Sequence, residues 1–172
     1  MLLFEADATC MLKDKRSGKV ALVSHCILNQ NSRVLGLAER PSVVNEIVQF
    51  LVHNEIGVIQ MPCPELAYAG ILRPPQTKEQ YDNVIYRRHC RKIAEELARQ
   101  VQVYKKCGVK LKFVLGVDGS PSCGVNETSG IFMEELRFAL DKRTMLVTFF
   151  EVKFEHLKRD IIKLEKLAKS EC

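Results

Sequence analysis

The chain has 172 residues and a formal net charge of +5, with 47% hydrophobic and 27% charged residues. This length suits one domain with a substantial core, and this composition excludes a disordered chain. No apolar run approaches the roughly 18 residues of a membrane span, and Glu5 and Asp7 interrupt the apolar start, so we expect a cytoplasmic protein with no membrane partner.

The apolar pattern alternates between two periods along the chain. Short runs rich in Val, Ile and Phe are typical of strands covered on both faces, and apolar stripes at helical spacing are typical of amphipathic helices. In chain order the predicted elements are an edge strand and basic turn within 1–18, a strand over 19–25, a helix over 41–54, a strand over 56–62, a helix over 79–105, a strand over 111–118, a helix over 132–140, a strand over 144–152 and an amphipathic helix over 153–172.

The long predicted helix carries recognisable signals at both ends. Thr77 and Gln80 stand in capping-box spacing at its start, and Gly108 follows it as a stop. Strands that alternate with helices form βαβ units, which build a mostly parallel open sheet with helices on both faces. We therefore predict a single α/β domain over residues 1–172, of the flavodoxin-like or Rossmann-like kind.

The seven cysteines need a chemical explanation, because an odd number in a reducing compartment argues against a disulfide framework. Cys26, Cys63 and Cys123 each follow a predicted strand, in loops rich in Pro, Gly, Ser or Asn. Ligands bind parallel α/β sheets at the carboxyl ends of the strands. We therefore expect these three strand-end cysteines to meet around one centre, although a cysteine at a strand end can also simply fill the core.

The other four cysteines are poor ligand candidates. Cys90 lies on the apolar stripe of its predicted helix, where a thiol packs as a small hydrophobic group. Cys107 precedes the third predicted strand and therefore belongs at the opposite edge of the sheet. Cys10 and Cys172 lie near the termini without partner spacing.

Three thiolate ligands leave one coordination position open, as catalytic metal sites do. Thiolates are soft ligands that suit iron–sulfur clusters, zinc or cuprous copper. The sequence contains no C-x-x-C pair and no phosphate-binding glycine loop, which excludes the zinc-ribbon, thioredoxin-like and dinucleotide-binding motifs. An iron–sulfur cluster with one exposed iron would act as a Lewis acid that prefers sulfur donors.

Three segments, SHCILNQNSRV, CPE with GILRPP, and GVDGSPSCGV, resemble the signature segments of the thiouracil desulfidase family and its relatives. This resemblance implies a cubane [4Fe-4S] cluster on Cys26, Cys63 and Cys123, with one open iron. It also implies catalytic roles for Glu65 and Ser120. The implied reaction replaces the thiocarbonyl sulfur of a modified pyrimidine, or of a related thioamide, by oxygen with release of sulfide.

The first segment departs from the pattern of the family. Asn29, Gln30 and Asn31 stand where the family usually carries a glycine and a tyrosine, and Val34 and Leu35 follow where a tyrosine is typical. If these positions line the base pocket, the substrate differs from thiouracil. The expected substrate is a small thiolated molecule; the mild positive charge also permits tRNA without indicating it, and the oligomeric state stays open.

The hypothesis that follows places the thiocarbonyl sulfur on the open iron and makes Glu65 the general base for attacking water. Glu65 has an alternative role in capping a helix or pairing with Arg73. Ser120 either hydrogen-bonds the substrate or departing sulfide, or bonds the backbone of its own loop.

Four further residues are weaker substrate-binding candidates. His25 either relays protons beside Cys26 or, by strand alternation, packs on the opposite face. Asn29, Arg33 and Arg73 either hold a carbonyl or phosphate of the substrate or make local contacts, such as a surface salt bridge of Arg73.

Three other functions stay open. A zinc-dependent hydrolase of the deaminase type would use the three thiols and Glu65, although its H-x-E and P-C-x-x-C signature is missing. A binding module would hold the cluster without turnover. A cysteine-nucleophile hydrolase lacks a histidine or aspartate placed by motif to activate the thiol.

Overall fold

The computed structural model describes residues 14–126 and 129–169 of the chain. Its four strands form one parallel sheet in the order β2-β1-β3-β4. The strands are β1 Lys19–Ser24, β2 Gly57–Met61, β3 Lys110–Val117 and β4 Thr148–Val152. This topology confirms the predicted α/β class with a parallel open sheet.

Seven α-helices and two short 3-10 turns connect or flank these strands within the described residues. The helices are α1 His25–Leu28, α2 Asn45–His53, α3 Pro64–Ala69, α4 Lys78–Tyr81, α5 Val84–Lys106, α6 Ile131–Asp141 and α7 Leu157–Lys169. The 3-10 turns are Gln30–Ser32 and Phe154–His156. None of the described helices is long and apolar enough to cross a membrane.

The two faces of the sheet are covered by different helices because strand residues alternate in direction. On β1, Val20 and Leu22 join the core cluster that contains the apolar stripes of α5 and α6. Ala21 and Val23 join the second cluster, which contains the apolar faces of α2 and α7. Strands β1 and β3 are therefore buried on both sides, as their nearly continuous apolar runs predict. The edge strand β2 differs from this expectation, because Val58 and Gln60 leave one of its faces exposed.

The long predicted helix is interrupted near its start. Thr77 and Gln80 form the expected capping box, but it starts only the short α4. Asn83 has an extended backbone, and its side chain accepts hydrogen bonds from the N–H groups of Ile85 and Tyr86, so a new cap begins α5. The prediction of one helix from 79 to 105 was therefore wrong at this end.

The predicted stop of the long helix is confirmed. Gly108 has a φ of 76°, a left-handed value that favours glycine. Its N–H donates to the carbonyl of Lys105, and the N–H of Val109 donates to that of Tyr104. This pair of bonds satisfies the last carbonyls of α5 and turns the chain into β3.

The predicted strand boundaries lie within one residue of the observed ones, except at the start of the fourth strand. The first strand ends at Ser24 because His25 already begins α1, and the fourth begins at Thr148 rather than at 144. Of the predicted edge strand within 1–18, residues 1–13 lie outside the described residues, and 14–18 form no strand. The organisation of residues 1–172 as one domain stays a prediction.

Candidate active site

A cavity of about 280 Å³ opens at the carboxyl edge of the sheet, where the loops after β1, β2 and β3 converge. Cys26, Cys63 and Cys123 all line this cavity, each from a different loop. Glu65 and Ser120 line it as well. The parallel topology therefore brings the strand-end cysteines and both predicted catalytic side chains to one place.

The first loop places two adjacent side chains at the cavity. Because α1 begins directly after β1, strand alternation does not apply, and both His25 and Cys26 line the cavity. The expectation that His25 packs on the opposite face was wrong for this reason. The buried Gln30, 1% exposed, donates from its amide to the Cys26 carbonyl at 2.6 Å and accepts the Glu39 N–H at 3.0 Å.

The second loop turns directly into the short helix α3. Cys63 is its N-cap, and its sulfur accepts the Leu66 N–H at 3.4 Å. Pro64 occupies the first helical turn, where proline costs no hydrogen bond. Glu65 follows in the same turn, so the C-P-E motif presents a thiol and a carboxylate to the same cavity.

The third loop is closed by the Ser120 side chain. The Ser120 hydroxyl oxygen accepts the backbone N–H of Cys123 at 3.0 Å and that of Ser122 at 3.4 Å. A serine hydroxyl that accepts in this way still has its own proton to donate. Both readings of Ser120 are therefore compatible with its position: it shapes its own loop and also faces the cavity.

Two glycines let this loop pack closely against the sheet and α6. A Cβ atom on Gly130 would lie 2.2 Å from the Ser122 carbonyl carbon and 2.7 Å from the Cys123 nitrogen. A Cβ atom on Gly116 would lie 2.2 Å from the Cys123 carbonyl oxygen. Sequence reasoning did not single out these glycines, because only the tertiary fold shows what approaches them.

Arg73 joins three segments around Glu65. Its Nε lies 3.5 Å from Glu65 Oε2, while its two terminal nitrogens donate to the carbonyls of Gly70 at 2.9 Å and Ser32 at 2.8 Å. Arg73 is 5% exposed, so the pairing of Glu65 with Arg73, one of the predicted alternatives, is present as a buried pair, whereas the alternative of a surface salt bridge was wrong. Its donors hold the protein rather than pointing freely at a substrate.

Burial disfavours the ionised form of the three cavity thiols. Burial raises the pKa of Cys26 to about 12, and the nearby Cys63 adds to the rise. Burial likewise raises the pKa of Cys63, opposed by the Leu66 N–H. The pKa of Cys123 lies well above its usual range because of burial and then of the other two thiols, while a hydrogen bond with Ser24 lowers it. Without a cation the three thiols are protonated near neutral pH, which disfavours the cysteine-nucleophile alternative.

The part of the chain that the structure describes has no group of three or more His, Cys, Asp or Glu side chains arranged to hold a metal ion. Thiolates are soft ligands that suit both zinc and iron–sulfur clusters. The donor set by itself therefore leaves the zinc-dependent alternative open.

The weaker substrate-binding candidates separate into two groups. His25 and Arg33 line the cavity, as does Arg73, whereas Asn29 caps the 3-10 turn through the Asn31 N–H. Arg33 pairs with Glu39 at 3.0 Å. Arg33 and Arg73 are held in ion pairs with Glu39 and Glu65, whereas the His25 ring contacts the uncharged side chain of Gln60. His25 is therefore the least constrained of the three candidates that line the cavity.

His25 is held by one side-chain contact. Its Nδ1 lies 2.7 Å from Gln60 Nε2, and burial lowers the pKa of the ring. With the Gln60 amide donating to Nδ1, the neutral ring carries its proton on Nε2 and can donate it. Gln60 lies on β2, and sequence reasoning did not connect it with the first loop.

The other described cysteines lie away from the cavity. Cys90 is fully buried in the core between α5 and the sheet, as its place on the apolar stripe predicts. Cys107 is exposed beside the start of β1, at the amino edge. Cys10 and Cys172 lie outside the described residues.

The site is a thiol-rich cavity at the carboxyl edge of a parallel α/β sheet. Three cysteines and the carboxylate of Glu65 line it. Residues 19–169 match the profile of a family described as "Putative 2-thiouracil desulfurase". An uncharacterized protein of Methanocaldococcus jannaschii is 41% identical over 140 residues, which are 81% of this chain and 87% of that protein. The chain belongs to the 2-thiouracil desulfurase family, which confirms the resemblance carried by the three segments.

A solved structure is also similar to this chain. It is described as the [4Fe-4S]-dependent thiouracil desulfidase TudS, and it has 21% identity and a TM-score of 0.49. The match covers 86% of this chain and 99% of that chain. Membership of the family rests on the profile and on the 41% identical relative.

Proposed function

We propose that this protein is an iron–sulfur-dependent desulfidase that replaces the thiocarbonyl sulfur of a small thiolated substrate, such as a thiolated pyrimidine, by oxygen. The observation that carries the proposal is the convergence of Cys26, Cys63 and Cys123 on one cavity, from the ends of three parallel strands. Membership of the 2-thiouracil desulfurase family supports it. We further propose that the protein acts in the cytoplasm.

The strand-end cysteines would hold a [4Fe-4S] cluster, since their soft thiolates suit iron and three of them leave one of four irons without a protein ligand. Bound there, the cluster supplies a Lewis acid with affinity for sulfur. The protein must release protons to bind it, because the three thiols are neutral at their raised pKa values. The loops hold these thiols by the backbone bonds of Ser120 and by the Gln30 amide.

Glu65 would act as the general base that takes a proton from the attacking water. Its side chain lines the cavity beside Cys63 and is largely buried, so bulk water does not compete strongly for its oxygens. The buried guanidinium of Arg73 lies 3.5 Å from Oε2 and orients the carboxylate. Because Arg73 is bound to two carbonyls, it acts here as a positioning residue rather than a catalytic one.

Ser120 and His25 would orient the substrate. The Ser120 oxygen accepts two backbone N–H groups, so its own proton is the one free to donate to a substrate oxygen or nitrogen. The His25 ring, held at Nδ1 by Gln60, offers its Nε2 proton from the neighbouring wall of the cavity. Two fixed donors favour a planar heterocycle with polar ring substituents over a purely aliphatic thioamide.

The proposed reaction is balanced without any change of oxidation state. Water supplies the oxygen, the carbon–sulfur double bond is replaced by a carbon–oxygen double bond, and the two protons of water leave with the sulfur as hydrogen sulfide. Glu65 would take the first proton and return it. No external oxidant or reductant is consumed.

The test is purification without oxygen, followed by iron, acid-labile sulfide and zinc analysis of the wild type and of single Cys26→Ala, Cys63→Ala and Cys123→Ala variants. We expect iron and sulfide in cubane proportion, lost in each variant, together with sulfide release from thiolated pyrimidine bases and nucleosides. Zinc at one atom per chain, or iron that persists in any of the three variants, would contradict the proposal.

Two cysteines provide matched controls within the same chain. Cys90→Ala changes a thiol that is fully buried in the core, and Cys107→Ala changes one that is exposed at the opposite edge. Both variants are expected to keep wild-type iron and sulfide. Loss of the cofactor in Cys90→Ala would show that core packing, rather than ligation, explains the effects of the other substitutions.

A further inference from the structure

Helix α5 contacts the third cysteine loop through one hydroxyl pair. The Tyr86 and Ser122 hydroxyl groups share a hydrogen bond of 2.7 Å, and both side chains are fully buried. Ser122 directly precedes Cys123 in the chain. A buried pair of this kind has no water to replace a lost partner, so it fixes the position of the loop strongly.

The same face of α5 contacts the second cysteine loop. One helical turn after Tyr86, the Nε2 of His89 lies 3.2 Å from the carbonyl oxygen of Pro64, which directly follows Cys63. A carbonyl only accepts, so Nε2 carries the proton in this contact. The rings of Tyr86 and His89 lie 6.2 Å apart, and both pack near Tyr68 of α3.

The first cysteine loop is held in a different way. Gln30 binds the carbonyl of Cys26 from within the same loop, and the same side chain accepts the N–H of Glu39. Helix α5 therefore contacts two of the three loops, each through a separate side chain. It reaches each one at the residue next to its cysteine.

We infer that Tyr86 and His89 are positioning residues that hold Cys123 and Cys63 at the spacing which the cofactor requires. The link to a cofactor rests on the function proposed above, whereas the bracing of the two loops does not. From sequence patterns alone, this aromatic cluster would be assigned to the core. We predict that each of the two contacts acts separately, on its own cysteine.

The test measures alkylation of each cysteine by iodoacetamide in the metal-free, folded protein, using mass spectrometry. Tyr86→Phe removes one hydroxyl and keeps the ring, so we expect Cys123 to react about fivefold faster because its loop opens more often. His89→Phe should produce the corresponding rise at Cys63. Each variant should leave the other cysteine, and Cys26, within about twofold of the wild-type rate.

Tyr104→Phe is the matched control. Tyr104 lies near the end of the same helix, beside Cys107 at the opposite edge of the sheet. Deleting its hydroxyl should therefore leave all three rates unchanged. Ser122→Ala should match Tyr86→Phe, and the double variant should add nothing further, because both substitutions remove the same bond.

Loaded protein provides the second readout. After anaerobic reconstitution, Tyr86→Phe and His89→Phe should lose iron to a chelator about fivefold faster than the wild type, and Tyr104→Phe at the wild-type rate. Equal acceleration of all three cysteines in Tyr86→Phe, or an unchanged Cys123 rate, would overturn the inference. If the wild type takes up no iron, the proposed function fails, and the alkylation pattern still decides whether α5 braces the loops.

Discussion

The Ser120 hydroxyl accepts the backbone N–H of Cys123 at 3.0 Å, so the residue proposed to act on the substrate also shapes the loop of a proposed ligand. The two functions belong to different atoms of one group, since the oxygen accepts from the loop and the proton is free for the cavity. We therefore expect a substitution at Ser120 to affect the proposed cofactor site and the proposed substrate site together.

Ser120→Ala should lower both iron content and activity. The variant leaves the N–H groups of Ser122 and Cys123 without their acceptor, which costs about 1 to 3 kcal/mol for a buried group. Thermal unfolding and iron analysis measure the two effects. Ser120→Thr keeps the hydroxyl and should retain the iron, while the exposed Ser42→Ala is expected to match the wild type. Full iron retention in Ser120→Ala would contradict the role of this side chain in its loop.

Gly130→Ala should displace the third loop. The added Cβ would lie 2.2 Å from the carbonyl carbon of Ser122, and backbone atoms at that distance cannot yield without moving Cys123. We expect destabilisation of about 2 kcal/mol or more, as for overpacking of a core, with loss of the cofactor. Urea unfolding and iron analysis measure both effects. Gly57→Ala, whose Cβ meets its neighbours at an ordinary 3.4 Å, should cost less and keep the iron.

Glu65→Gln should abolish turnover while keeping the cofactor. The amide preserves the shape of the side chain but removes the basic oxygen, and loss of a general base typically slows catalysis about 10² to 10⁴-fold. Sulfide release from the thiolated substrate that the wild type converts fastest measures the loss, with iron content measured on the same samples. Glu46→Gln, on the exposed ion pair with Arg40 outside the cavity, is the control. Wild-type turnover in Glu65→Gln would exclude this carboxylate as the base.

Alkylation of Cys26 in the metal-free protein should keep rising with pH up to about pH 11. Burial, and then the neighbouring Cys63, raises the pKa of Cys26 to about 12, so the reactive thiolate fraction grows about tenfold per pH unit far below that value. Iodoacetamide labelling at several pH values, read by mass spectrometry, measures the profile. Exposed Cys107 is the internal reference. A plateau of the Cys26 rate below pH 9 would indicate a stabilised thiolate and restore the cysteine-nucleophile alternative.

The sequence was sufficient to predict the parallel sheet and the three cysteines at its carboxyl edge. Both follow from local patterns: apolar runs mark the strands, and the chain places Cys26, Cys63 and Cys123 just beyond three of them. In a parallel sheet those ends must lie at one edge. The capping signals at Thr77 and Gly108 are likewise local, and both occur as predicted.

The errors lie where local pattern and backbone geometry conflict. His25 was assigned by strand alternation, but α1 begins at that residue and turns its side chain to the cavity. The pattern around Arg73 left a surface salt bridge and a pair with Glu65 both open, and the carbonyls of Ser32 and Gly70 decide for the buried pair. The split between α4 and α5 depends on Asn83, a cap inside an otherwise helical pattern.

What the sequence by itself determined is the chemical inventory: which thiols, carboxylate and hydroxyl follow which strands. Only the tertiary structure decided how they are supported, through Arg73 against Glu65, Gln30 against Cys26, and Tyr86 against Ser122. The physical reason is range, since strand and helix periods act over a few residues, whereas a buried hydrogen bond joins groups that only folding brings within 3.5 Å.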